Sequence, residues 1–169
     1  MPTSEERFMS WLRDAHAMEE QAEQMLASLA RRIESYPELK SQIERHLEVT
    51  RSQAERLHGC IVRRQGAPST IKTTMAKILG VAQGLSGLFV GDEVVKGVLA
   101  SYTFEHMEIA SYKILVATAD KLGDGETKRV LEEILREEEE MAKWLEAHLE
   151  PVTVQYLGRE ETPKATAKH

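Results

Sequence analysis

FEHMEIASYKILVA (104–117) sets two glutamates, Glu105 and Glu108, where a helix is due to meet a core. Around them Tyr102, Ile109, Tyr112 and Val116 mark one helical face. Residues three apart share a side of a helix, so both carboxylates fall on or beside that face. Carboxylates are rarely buried without a partner, because desolvating an unpaired charge is costly. Two of them one turn apart also repel each other. The stretch therefore predicts a helix of a bundle, with something positive held between its acids.

The rest of the chain reads as helix too. Strand signals are nearly absent, and four long segments carry helical periodicity, at about 4–35, 37–64, 92–122 and 126–149. Thr3 with Glu6 makes a capping box for the first, whose inner stripe is Phe8, Leu12, Ala15, Glu19, Ala22, Leu26 and Leu29. Tyr36-Pro37 ends it and opens the second, with Ile43, Leu47, Thr50, Ala54, Leu57 and Ile61 inward. Asp92 is an N-cap for the third. Gly123-Asp124-Gly125 turns the chain into the fourth, whose stripe is Leu131, Leu135, Glu138, Ala142, Leu145 and Leu149, with Pro151 just beyond its end. Residues 152–169 form a polar tail with little to hold it in place.

Short turns join helices one to two and three to four, so each pair is an antiparallel hairpin. Between helices two and three lies a crossover, 65–91, in which Ile71, Met75, Ile78, Leu79 and Val81 have helical spacing and Gly80, Gly84, Gly87 and Gly91 follow. A helix of about 28 residues is roughly 42 Å long. A partly helical crossover can span that length and leave helices two and three parallel. The expected fold is an all-α, ferritin-like antiparallel four-helix bundle, residues 1–151, with one long crossover containing a short helix.

Composition narrows the function. The chain has 169 residues, 28 acidic and 22 basic, for a net charge of −6. No basic face is visible for nucleic acid. No segment approaches the roughly 20 apolar residues needed to cross a bilayer, and MPTSEERFMSW has no basic start or greasy run. The single cysteine, Cys60, excludes an intramolecular disulfide and suits a reducing cytoplasm. No nucleophile triad, phosphate-cradling loop or Cys-x-x-Cys is present.

The polar residues on the inner stripes remain. Glu108 lies 16 residues before Asp124 and Glu138 lies 14 after it, so the two face each other at nearly one height. Glu19, 17 residues before Tyr36, is at a similar distance from its own turn. Three helices thus supply glutamate at one depth, a donor set suited to iron or manganese, with imidazole as the usual added ligand. On helix two that depth holds Thr50 and Gln53, with His46 as the imidazole candidate and Glu48 as a carboxylate candidate; an ordinary hydrogen-bonded histidine and a solvated glutamate are their alternatives. Glu138 stands in REEEEM (136–141), which also reads as a hydrated face, and Glu137 replaces it if the helix is slightly rotated. His16, one turn before Glu19, is a partner for that carboxylate or a surface residue, and His106 points away.

WLRDAHAMEEQAE (11–23), YPELKSQIERHLEVT (36–50) with Gln53, GDEVVKG (91–97), FEHMEIASY (104–112) and ILREEEEMAKWL (134–145) together resemble the YciE/YciF family of bacterial stress-associated proteins, closest to the YciE branch. The resemblance implies a rubrerythrin-like bundle that dimerises and carries a metal site. It maps the glutamate of the family's first helix to Glu19, the Glu-x-x-Glu of the third to Glu105 and Glu108, and that of the fourth to Glu138. Met141 stands where a histidine is expected three residues after that last glutamate, and Val49 replaces a helix-two glutamate.

Two functions are compatible with this pattern. One is a carboxylate-rich iron (or manganese) protein, with one or two ions per chain held by Glu19, Glu105, Glu108, Glu138 and His46 and open to dioxygen or peroxide. Tyr102 and Tyr112 flank those acids as hydrogen-bond donors, electron donors or plain packing. The other is a structural homodimer whose carboxylates no longer bind metal.

Overall fold

The computed structural model describes residues 1–65 and 93–162, and in these it forms four helices: α1 Ser4–Arg32, α2 Pro37–Gln65, α3 Glu93–Lys121 and α4 Gly125–Glu160. The expected crossover with its short helix, the Asp92 cap and residues 163–169 of the tail lie outside the described residues.

Local chemistry sets the helix ends. At the start of α1 the Thr3 hydroxyl accepts from the Glu6 amide (3.1 Å) while the Glu6 carboxylate accepts from the Thr3 amide (2.7 Å), the reciprocal cap expected from sequence. Gly123 closes α3 at φ 70°, a conformation that costs glycine little. Asp124 then caps α4 by accepting from the Thr127 amide at 3.0 Å. The Asp124 carboxylate also receives Arg63 and Arg64, which ties the last turn of α2 to the first of α4.

Two apolar clusters show how the helices run. One gathers Phe8 and Leu12 of α1, Leu57 and Ile61 of α2, Leu115 and Ala119 of α3, and Leu131 and Ile134 of α4. The other gathers Leu26 and Leu29, Ile43, Val94 and Val98, and Leu145, with Val152 and Tyr156. The start of α1 therefore meets the ends of α2 and α3 and the start of α4. Helices α2 and α3 are parallel, as expected, and both oppose α1 and α4. Around the bundle, α1 packs on α2 and α3, and α4 packs on α3 and α2.

Two boundaries differ from expectation: α1 stops at Arg32, three residues short of the expected end, and α4 runs on. Helix α4 does not stop before Pro151 but continues to Glu160, through a segment expected to belong to the polar tail. An interior proline forfeits one backbone hydrogen bond and crowds the carbonyl four residues back. Burial outweighs that cost here, because Val152 and Tyr156, four residues apart on one face, both enter the core. The extra turns are secured by the Thr153 hydroxyl donating to the Leu149 carbonyl (2.7 Å) and by Arg159 donating to the Ser35 hydroxyl (2.8 Å).

Candidate metal centre

Between the two apolar clusters each helix turns polar side chains inward. Glu19, Glu105, Glu108 and Glu138 are all at most 1% exposed, and His46 is 5% exposed. Their positions follow from the stripes: each replaces an apolar residue at helical spacing, so the packing that buries its neighbours buries it as well. The His46 imidazole of α2 lies across from α3 and α4, with Nε2 at 3.3 Å from Glu105 Oε1 and 3.5 Å from Glu138 Oε2. One donor atom from each of the three residues falls within 4.8 Å of the other two.

Glu19 and Glu108 stand beside this triad rather than in it. Glu19 accepts a hydrogen bond from the fully buried Tyr112 hydroxyl. Burial pushes the Glu108 carboxyl well above its usual range, and repulsion from Glu19, Glu138 and Glu105 adds to it. Burial likewise raises Glu19, reinforced by Glu138 and opposed by Tyr112 and His46. For Glu138, burial outweighs the help of His46 and lifts the carboxyl to about 8. His46 moves in the opposite sense to burial: desolvation alone would lower it, but Glu105 and Glu138 together raise it to about 10.

The other sequence candidates are elsewhere. Glu48 is exposed and paired with Arg51 on the surface of α2, so it does not face the cluster. Glu137 lies off the inward stripe, where it accepts from Gln53 Nε2 at 3.0 Å and from Arg56. His106 is exposed, edge-on to the half-buried Tyr102. His16 faces His58 of α2. Met141, where an imidazole was expected from the resemblance, is buried and its sulfur accepts from Gln42 Nε2 at 3.4 Å.

Gln53, expected on helix two at the depth of the acids, is inward as well. It is completely buried, and its amide oxygen has no hydrogen-bond partner among the described residues. Its sequence signal is spacing: two helical turns beyond His46, it shares that residue's face.

A cation fits this chemistry. Five carboxylate oxygens, Glu19 Oε2, Glu105 Oε2, Glu108 Oε1 and both of Glu138, are buried without a hydrogen-bond partner among the described residues. Orphaned acceptors of that kind are costly in a protein interior. Hard oxygen donors with one imidazole match iron or manganese better than zinc or copper, which favour more nitrogen or sulfur. A groove of ≈ 380 Å³ between α2 and α4, lined by His46, Val49, Glu137, Met141 and Trp144, adjoins the cluster.

Known proteins share this architecture. The chain is 31% identical over 149 residues to protein YciF of Escherichia coli, covering 82% of this chain and 85% of that one. Its fold matches a crystal structure of a Xanthomonas campestris pv. campestris protein with a TM-score of 0.79 at 42% identity, covering 95% of this chain and all of that one. It also matches the crystal structure of the E. coli stress protein YciF, with a TM-score of 0.74 at 29% identity, over 88% and 96% of the two chains. The sequence pattern of the family described as "Domain of unknown function (DUF892)" spans residues 3–158, and the chain belongs to that family.

Proposed function

We propose that the buried cluster holds iron, with manganese as the alternative, and that the protein is a ferritin-like metal-binding bundle serving a bacterial stress response. The single observation that carries this reading is the set of five buried carboxylate oxygens without a hydrogen bond, beside a buried imidazole. We read the chain as of the YciE kind within its family, acting in the cytoplasm as a homodimer. YciF, its relative, is described as a stress protein.

In this reading His46, Glu105 and Glu138 hold the ion, and Glu19 and Glu108 supply the remaining oxygens or a second position. The ion, when bound, would supply electrons to a small oxidant such as dioxygen or peroxide. The protein's part is to fix the donors and exclude water. Tyr112 keeps its proton directed at Glu19 and so fixes which oxygen of that carboxylate stays free. Burial of all four acids weakens competition from solvent and strengthens their attraction for a cation.

One observation favours a second reading, a structural dimer with a disused site. A protonated His46 bridging Glu105 and Glu138, together with protonated Glu19 and Glu108, neutralises much of the cluster without an ion. Elemental analysis of protein purified without added metal separates the two. Iron or manganese is expected at about one to two per chain, as carboxylate bundles of this kind hold, and is expected to be lost in Glu105→Ala with Glu108→Ala. Protein that stays metal-free after anaerobic Fe(II) loading would leave the structural reading. If iron binds, peroxide consumption or Fe(II) oxidation distinguishes an enzyme from a passive binder.

A further inference from the structure

An ion held among Glu19, Glu105, Glu108 and Glu138 has to pass a wall of packed side chains, because all four acids are buried. His46 is the one member of the cluster that borders the groove between α2 and α4. Its Nε2 reaches Glu105 and Glu138 inside, so one ring touches both the groove and the acids. The cleft on another face of α2, beside His16 and His58, borders no member of the cluster.

Packing explains why the groove lies there. Each hairpin is tightly closed on itself, and of the helix pairs that pack side by side α2 and α4 touch least. Val49 follows His46 by three residues and Met141 follows Glu138 by three, so each wall residue sits one turn from a donor on its own helix. These are the two places where the family resemblance led to a glutamate and a histidine. Valine and methionine there add no hard donor and leave the seam open. The rim favours a cation. Glu140 is exposed on α4 with no hydrogen bond or ion pair among the described residues, whereas Arg45 across from it is turned to Ser41 and Gln42 of its own helix.

We propose that the α2–α4 groove is the passage by which a divalent metal ion enters and leaves the buried centre. Glu140 stands at its mouth, Val49 and Met141 form its walls, and His46 is the first donor the ion meets. The proposal rests on the reading of the cluster as an ion site, and adds to it residues that set a rate rather than an affinity. A side chain that only narrows a passage raises the barrier to entry and exit alike, so both rates change by one factor and the equilibrium does not move. A ligand, or a residue the fold depends on, changes the equilibrium instead.

Anaerobic Fe(II) loading of the full chain, stopped by chelator at timed intervals, gives the uptake rate, and chelator challenge of loaded protein gives the release rate. Val49→Trp is expected to slow both at least about tenfold, with the final iron content of wild type. Val49→Ala is expected to speed both. Glu140→Gln is expected to slow uptake at low salt, an effect that fades as salt screens the mouth. Glu55→Trp, exposed on α2 beside the other cleft, is expected to keep both wild-type rates. Wild-type rates in both Val49 variants, at wild-type iron content, would overturn the passage and leave the ion site standing. Equal slowing by Glu55→Trp and Val49→Trp would overturn it too. Should Val49→Trp take up less iron at equilibrium, Val49→Ala decides: unchanged rates there overturn the passage. Wild-type protein that takes up no iron would overturn the passage together with the site.

Discussion

Tyr112 shows how much rests on one hydroxyl. It is fully buried, and burial together with Glu19, Glu138 and Glu108 pushes its phenol well above the usual range, so it keeps its proton and donates it to Glu19. Tyr112→Phe removes that donor and leaves a second orphaned oxygen on Glu19. The substitution is expected to cost about 1–3 kcal/mol of unfolding free energy, the range for an unsatisfied buried polar partner. A urea midpoint measured on metal-free protein checks it, and an unchanged midpoint would mean that Glu19 has another partner. At this scale the sequence is legible where residue type conflicts with position. Glu105 and Glu108 stand out because they interrupt a core face, and Glu138 stands out from its run of four only by the stripe of Leu131, Leu135, Ala142 and Leu145. Gln53 is placed at the right depth by its spacing, but a glutamine carries no charge to signal that its amide oxygen is buried without a hydrogen bond. The pairing of His16 with His58 depends on the register between two helices, which no single helix encodes.

Helix α4 is the element whose extent sequence rules misjudged. Proline is a strong local stop signal, and Pro151 followed by a polar tail invites a boundary there. The competing signal lay in spacing: Leu145, Leu149, Val152 and Tyr156 continue one face across the proline. Tertiary burial decides between the two, as it commonly does when a helix end has a core to reach. Tyr156, only 6% exposed, is therefore expected to matter as much as a residue of the central stripe. Tyr156→Ala is predicted to lower stability by about 3 kcal/mol or more, read from the urea midpoint. A change below about 0.5 kcal/mol, typical of a surface site, would show that the last turns of α4 do not contribute to the core. Three other boundaries were legible because they rest on local chemistry: the Thr3–Glu6 box, Pro37 at a first turn, and Gly123 followed by Asp124. Gly97 carries a different kind of message. A Cβ there would lie 2.7 Å from Leu29 Cδ1, so glycine lets α3 approach α1 just where the second apolar cluster closes.

For the whole molecule the cluster sets the response to pH. His46 rises from its ordinary 6.5 to about 10 and Glu138 from 4.5 to about 8, with Glu19 and Glu108 raised as well. A group whose pKa is higher in the folded chain stabilises the fold while protonated, and that contribution is lost as pH rises through the folded value. Metal-free protein is thus expected to lose stability steadily from about pH 5 to pH 10, and to be more stable at pH 6 than at pH 9. Urea unfolding in the presence of a chelator tests this, and a flat or rising profile would contradict it. A bound cation reverses the trend, because its ligands must give up their protons. Added iron is accordingly expected to stabilise more at pH 8 than at pH 6.

The inward acids also bear on how the bundle comes together. The α1–α2 hairpin brings Glu19 and His46, whereas the α3–α4 hairpin brings Glu105, Glu108 and Glu138. Neither hairpin holds a complete donor set, and the half with three acids repels itself until the other half's imidazole arrives. On the proposed metal-binding reading, ion uptake would work as a coincidence check on assembly. On that reading a chain with one hairpin misdocked would lack the full donor set even with its helices formed, so metal content would report correct tertiary pairing in a way that helicity does not.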